Sequence, residues 1–263
     1  MRTHFRNNRL AILASLAAWL LLLLVLFTLP VAFSGYQQGD WDTSSWYFLS
    51  QSGGVYGTTL LVLVLCGAFA SIRSGQKKKL IAFVGSFSFF TLVLGGVAFT
   101  NEYGLKPLLH QPRPSHLYLL QPARQDTTLI PQFYRNTVEQ RRAYLLHFIQ
   151  SHPDKVKAIS PAVLNHWVME AGYSFPSGHA QNAFLLATIL VFWLVRALPP
   201  HKYYWLAVPL TWAVLVSLSR VALGVHAETD VAAGAAAGLL LTFVLSLTGI
   251  LNRLFGVLPA HLN

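Results

Sequence analysis

Six apolar runs separated by polar joints organise the chain: Leu10 to Phe33, Val55 to Ile72, Leu80 to Thr100, Ala180 to Ala197, Tyr203 to Leu223 and Asp230 to Leu251. Each is long enough, or nearly so, to cross roughly 30 Å of hydrocarbon as a helix. The pattern predicts an all-α integral membrane protein with six transmembrane helices, a single domain over residues 1–263. One sizeable polar stretch, residues 115–173, separates the third run from the fourth and is expected to be a helical insertion outside the cytoplasm. Within it Ser160 and Pro161 form a helix start, serine at the N-cap and proline at the first position, and Val163, Leu164, Trp167 and Val168 make an apolar stripe. Pro161 to Glu170 therefore reads as an amphipathic helix lying at the membrane interface. Thr137 to Gln150 reads as a second helix, with Arg141 and Arg142 on its polar side. The stretch suits a cap over a site or a binder of anionic headgroups, and equally a solvated connector.

Composition agrees with the pattern, since 54% of residues are apolar and only 11% charged, a balance that excludes an ordinary soluble domain. Arg2, Arg6 and Arg9 precede the first run, and Ala32-Phe33-Ser34 would serve as a cleavage site. The run is longer than the ~7–15 apolar residues of a signal peptide, so it is expected to stay as an anchor. The single cysteine, Cys66, lies inside the second run and reads as a packing residue. The net charge of +10 would suit nucleic acid, but no basic stretch is interleaved with aromatics on a soluble module. Membrane topology accounts for it better. Arg73 and Lys77 to Lys79 lie between runs two and three, and Arg196 and Lys202 between runs four and five. The loop from Ser34 to Gly54 instead carries Asp40 and Asp42 and neither Lys nor Arg. By the positive-inside rule both termini are cytoplasmic and the first, third and fifth loops face outward; the long third loop is itself basic but counts little in that rule.

Three polar segments fall where apolar runs meet loops: Lys106 to Pro114 (KPLLHQPRP), Phe175 to His179 (FPSGH) and Ser219 to Asp230 (SRVALGVHAETD). Loop charge places all three on the same outer face. Their Lys106, Arg113, Arg220, His179, His226 and Asp230 suit phosphate chemistry. Cations hold anionic oxygens, one imidazole can attack phosphorus, a second can protonate the leaving oxygen, and a carboxylate can orient the attacker. Pro107, Pro112 and Pro114 are expected to stop the third helix and hold the backbone extended, a strap presenting Lys106 and Arg113 to one anion. Ser177 is a natural N-cap for the fourth run, whose first free amides, around Gly178, form an anion site beside His179. His226 and Asp230 share a face if their turn is helical, so the carboxylate can accept the imidazole N–H and fix its tautomer. His179, His226 and Asp230 are also potential zinc ligands. Three neighbouring cations would repel a divalent ion and neutralise a phosphate themselves, so neither metal nor cofactor is expected.

The order Lys-x6-Arg-Pro, Pro-Ser-Gly-His, Ser-Arg-x5-His-x3-Asp resembles the type 2 phosphatidic acid phosphatase family of membrane lipid phosphatases. His166, Trp167, Glu170 and Gly172, just before FPSGH, are similar to the phosphatidylglycerophosphatase B branch. The resemblance implies metal-independent hydrolysis of lipid phosphate monoesters or diphosphates through a phosphohistidine. It makes His226 the nucleophile, Asp230 its orienting carboxylate and His179 the acid and then the base. Lys106, Arg113, Arg220, Ser177 and Gly178 bind the phosphate, and Glu170 is an accessory in substrate choice or proton transfer. Phosphatidylglycerol phosphate, undecaprenyl diphosphate, phosphatidic acid and lysophosphatidic acid are the implied substrates, met at the outer face of a bacterial cytoplasmic membrane. Two other outcomes fit the same scaffold: a lipid phosphotransferase using the same intermediate, and a non-catalytic lipid-phosphate binding or transport protein. The His/His/Asp set argues against the binder, which needs the cations but not an oriented nucleophile. The partners expected are the lipid substrate and the bilayer, with no nucleic acid and the oligomeric state left open.

Overall fold

The computed structural model describes residues 2–33, 41–120 and 128–255, of which 2–7, 41–43 and 255 by backbone alone. Asp40 of the acidic first loop lies outside the described residues, as does the chain beyond Phe255. Every described element is helical: α1 Arg2–Thr28, α2 Trp41–Ser52, α3 Val55–Ser71 and α4 Gln76–Thr100, which runs on through a π turn at Asn101–Leu105 into α5 Lys106–Leu109. The insertion supplies α6 Pro114–Leu120, α7 Leu129–Arg135, α8 Val138–Ser151, α9 Pro153–Val156 and α10 Pro161–Met169. Then follow α11 Gly178–Ala197, a 3-10 turn Pro200–Leu206 leading into α12 Ala207–Ala222, α13 Glu228–Leu247 and α14 Ile250–Phe255.

Five of these stretches are long and apolar enough to cross a membrane: Asn8–Thr28, Gln76–Leu109, Gly178–Ala197, Pro200–Ala222 and Glu228–Leu247. The remaining predicted span differs. α3 has only 17 residues, and it reaches spanning length together with Ser44–Ser52, to which it is joined at a bend of 51°. Six apolar runs thus become five spans and one bent pair.

α11 lies at the centre, its Ala183, Phe184, Leu185, Ile189 and Phe192 at most 1% exposed. It packs closely on α13 because α13 offers glycines four residues apart. A Cβ on Gly234 would collide with the Ser177 carbonyl oxygen, and one on Gly238 with the Gln181 carbonyl oxygen. Small residues at this spacing let membrane helices approach at backbone distance. α4 is held far more loosely, burying only Ser86, Phe89 and Phe90 along its length.

Two long-range hydrogen bonds gather the basic turns at one end of the bundle. Arg196 Nη2 donates to Asn8 Oδ1 (2.8 Å), and Arg73 Nη2 donates to the Leu254 carbonyl (3.2 Å). His179 starts the helix that Arg196 ends, about 26 Å away at 1.5 Å per residue. The polar segments therefore occupy the opposite end from the basic turns.

The insertion departs from its expected role in two ways. α10 begins as its sequence dictates, with Ser160 Oγ accepting from Val163 N–H (3.4 Å). Its stripe is covered by protein. Val163 and Trp167 are fully buried among Leu145, Leu223 and Val225, and Trp167 Nε1 donates to the Leu223 carbonyl (2.7 Å). The helix serves a small protein core seated on the α12–α13 turn. In α8, capped by Thr137 and Gln140 as a reciprocal pair, Arg141 is not on a polar face but 6% exposed. Its guanidinium satisfies three carbonyls, of Asn136, Tyr134 and Ala171, and lies over the rings of Tyr134 and Tyr173. Unsatisfied carbonyls at the surrounding helix ends explain why a cation is drawn inward there.

Candidate active site

The first polar segment is only partly a strap. Lys106 lies on a helix that continues to Leu109 and ends at His110, whose φ of 50° is left-handed. Proline at 107 is tolerated because the preceding π turn carries the Lys106 N–H to the Asn101 carbonyl and re-registers the helix just where Pro107 would clash. The non-helical strap is confined to residues 111–113, and Pro114 opens α6 instead of prolonging it. Lys106 Nζ pairs with Glu102 Oε2 (2.7 Å) one turn back.

Arg113 is 1% exposed and every arm of its guanidinium is engaged. Nε donates to the Gly172 carbonyl (3.0 Å), Nη1 to the Val225 carbonyl (2.9 Å) and to His226 Nε2 (3.2 Å), and Nη2 pairs with Glu170 Oε2 (2.7 Å). Its backbone N–H is held by Tyr134 Oη (3.0 Å), which also pairs with His116 Nδ1 (2.6 Å). Arg220, fully buried, reaches the other oxygen of the same carboxylate: Nη2 to Glu170 Oε1 (2.6 Å). Its Nη1 donates to Ser50 Oγ (2.5 Å) and His166 Nε2 (3.0 Å). Glu170 thus bridges the two arginines. Burial alone would raise its carboxyl, but the Arg113 and Arg220 guanidiniums outweigh that and hold it well below the usual carboxylate range.

The histidine and aspartate meet by a route other than the shared helical face expected. His226 precedes α13, and Asp230 is in its first turn, where Oδ2 caps the Ala227 N–H (2.9 Å) and faces His226 Nδ1 (3.4 Å). The cap uses one side-chain oxygen of Asp230 and so fixes where the carboxylate stands relative to the ring. Because Arg113 can only donate, His226 Nε2 is the unprotonated nitrogen and Nδ1 carries the hydrogen toward Asp230. Burial, then Arg113 and Arg220, push the His226 imidazole well below its ordinary value, so it is neutral. Ser177 caps α11, Oγ accepting from Ala180 N–H (3.4 Å), while its own N–H donates to the Asp230 carbonyl (3.0 Å). That bond ties the start of α13 to the start of α11 and so to His179.

A cavity of about 580 Å³ brings Lys106, Glu170, Gly178, His179 and His226 onto one wall. Its other side is apolar, formed by α3 and α4 through Val62, Phe87, Phe90 and Leu94. Arg113, Arg220, Asp230 and Ser177 stand behind that wall. Among the described residues no three His, Cys, Asp or Glu side chains gather as a metal-binding set. Sequence reasoning assigned no role to Ser50, His166 or Tyr134, nor to the Gly172 and Val225 carbonyls, all of which hold the arginines. Of these, His166 and Gly172 left a trace, in the run of residues before FPSGH. Ser50 lies 170 positions from Arg220 and carries no local signal.

Known proteins are similar in sequence to parts of this chain. The chain is 45% identical over 80 residues to phosphatidylglycerophosphatase B of Bacillus subtilis, covering 29% of this chain and 39% of that protein. It is 28% identical over 190 residues to phosphatidylglycerophosphatase B of Haemophilus influenzae, 70% of this chain and 72% of that protein. With phosphatidylglycerophosphatase B of Escherichia coli K12 it shares 29% over 130 residues, 48% of this chain and 46% of that protein. The matches thus span less than half of the Bacillus and Escherichia proteins. The profile of one family matches residues 80–252, which takes in Lys106, Arg113, His179, Arg220, His226 and Asp230 and more than half of the chain. The chain belongs to the PAP2 superfamily.

Proposed function

We propose that the protein is a membrane lipid phosphatase acting through a phosphohistidine on His226. The observation that carries the reading is the neutral His226 ring, held between Asp230 (3.4 Å) and Arg113 (3.2 Å) at the wall of a cavity whose opposite side is apolar. A phosphate needs the polar wall and an acyl or prenyl chain the apolar one. The lipid enters sideways between α3 and α4. Its phosphate oxygens pair with Lys106 and the amides around Gly178, and replace Glu170 as partner of the Nη2 atoms of Arg113 and Arg220. His226 Nε2 then attacks phosphorus, the bond to the leaving oxygen breaks, and His179 protonates that oxygen. Asp230 steadies the imidazolium that forms. His179 next takes a proton from water, whose oxygen attacks the phosphohistidine, releasing inorganic phosphate and restoring His226. The cations are aimed at charge that spreads over the equatorial oxygens in the transition state, which is where acceleration arises.

The names of the relatives point to phosphatidylglycerol phosphate; undecaprenyl diphosphate, phosphatidic acid and lysophosphatidic acid share its headgroup chemistry. We place the site at the outer face of a bacterial cytoplasmic membrane, a reading supported by its separation from the basic turns. The test is phosphate release by purified protein in detergent with EDTA, across these four lipids. Release from at least one, absent in His226→Ala, is the expected result; no release from any lipid overturns the reading, and release restored only by a divalent ion overturns its metal-free chemistry.

A further inference from the structure

Lys106 is the one cation of the proposed phosphate site carried by α5, the continuation of α4, and α4 is poorly held. In the stretch Gln76–Leu109, 17% of the most apolar window is buried, against 61% for Gly178–Ala197 and 67% for Pro200–Ala222. Cavities flank its outer half on both sides. The one of about 580 Å³ opens toward α3, and another of about 300 Å³ opens toward α13 at Leu241. Apolar packing therefore does not fix where Lys106 stands relative to His179. Among the described residues, one side-chain hydrogen bond crosses from this stretch to α11. Asn101 Nδ2 donates to Gln181 Oε1 at 2.5 Å, the two residues being 4% and 8% exposed. Asn101 borders both cavities. Gln181 is two residues beyond His179 on α11, and the Asn101 amide also lies 4.0 Å from where a Cβ on Gly178 would be.

The backbone couples Asn101 to Lys106. The π turn routes the Lys106 N–H to the Asn101 carbonyl, so the rotation and height of Asn101 set those of Lys106. A buried amide pair has strict geometry and few alternatives, since leaving either partner unpaired there costs its desolvation. We infer that Asn101 and Gln181 form a clasp that registers Lys106 against His179, making both positioning residues for the phosphate site. The inference deepens the phosphatase reading and rests on it, and has a structural consequence that does not. With the clasp closed, the α3–α4 side remains free to admit a chain while the cation stays in place.

The test compares wild type, Asn101→Ala, Gln181→Ala and the length-conserving swap Asn101→Gln/Gln181→Asn. Two readouts are taken in a Cys66→Ser background. The first is the distance distribution between spin labels at Leu108→Cys on α5 and Glu139→Cys on α8, both sites exposed. The expected result is a single narrow distribution in wild type and a broadened one in either alanine variant. The second is orthovanadate binding, followed as inhibition of phosphate release and as a shift in melting temperature. Each alanine variant should bind about tenfold more weakly, the order of one buried hydrogen bond, and kcat/KM should fall with it. In a Lys106→Ala background the same substitution should add nothing further to the loss of vanadate binding, which a general loss of stability would not reproduce. The swap should recover most of both readouts. An unchanged distance distribution in Asn101→Ala, or effects that add fully to Lys106→Ala, overturns the clasp. Absence of vanadate binding and of phosphate release in wild type overturns the phosphatase reading instead, leaving the distance measurement to decide the clasp.

Discussion

At the residue scale the site is a set of neutralising pairs around one uncharged ring. His226→Ala removes the proposed nucleophile while leaving the cations, so phosphate release should vanish and vanadate binding persist. Asp230→Asn keeps the Ala227 cap but no longer holds the imidazole as a carboxylate does, and turnover should fall about 10³-fold or more. Near wild-type turnover in purified His226→Ala contradicts the chemistry. Two further histidines brace the arginines and titrate abnormally. Burial, then Arg113 and Arg141, push His116 down to about 3, and burial, then Arg220, pushes His166 down to about 4. Both folded values lie below the unfolded one near 6.5, so the unfolded chain takes up protons first as pH falls. Their contribution to stability is full above about pH 6.5 and is lost on the way down to about pH 4 and 3. The melting temperature in detergent should therefore drop from pH 7 to pH 5, less steeply in His116→Gln; a flat profile contradicts this. Spacing and residue type single out Lys106, Arg113, His179, Arg220, His226 and Asp230 in the sequence, and the structure places them around one cavity. Glu170 was legible only as an accessory. Its role as the bridge between two arginines depends on Arg113 and Arg220 coming together, 57 and 50 positions away, and no local pattern reports that.

At the element scale hydropathy located the helices well and their joints poorly. Apolar runs mark α1, α4, α11, α12 and α13, since length and composition alone decide a span. They did not mark the break between α2 and α3, where Gly53 meets the side chain of Val216. Nor did they reveal the π turn that lets the third span run past Pro107, because a proline rule assumes regular helix ahead of it. The spacing marks the α10 stripe as apolar, and the structure covers it with a protein core; period alone says that a face is buried, not what covers it. The glycines of α13 carry more than loose packing. Gly234→Ala would drive a Cβ into the Ser177 carbonyl, at the joint between Asp230 and the start of α11. That backbone atom has nowhere to go, so the substitution should destabilise by about 1–3 kcal/mol and depress turnover. Gly85→Ala, with nothing within 4 Å of its Cβ, should leave both unchanged. Melting temperature and phosphate release in detergent compare the two, and equal behaviour of the pair contradicts close approach as the reason for Gly234.

At the scale of the whole molecule, the short basic turns and the candidate site lie at opposite ends, and that separation predicts a membrane orientation. The Asn8–Arg196 bond joins α1 to the α11–α12 turn and the Arg73–Leu254 bond joins the α3–α4 turn to α14, at the end of the bundle away from His179. Lys and Arg in short loops stay on the cytoplasmic side during insertion, so this end should face the cytoplasm and the cavity with its insertion should face outward. Single-cysteine probes in a Cys66→Ser background decide it, since Cys66 is the chain's one native thiol. Glu139→Cys on α8 and Gln76→Cys at the start of α4 are both exposed positions at opposite ends. A membrane-impermeant thiol reagent should label Glu139→Cys in intact cells and Gln76→Cys only after permeabilisation. The reverse pattern would put His226 beside the cytoplasm. Hydrolysis of a lipid phosphate would survive that result, because the pairing of His226 with Asp230 and Arg113 does not depend on sidedness. Hydrolysis of a lipid diphosphate in the outer leaflet would not, because its headgroup would then lie about 26 Å from the nucleophile, across the length of α11.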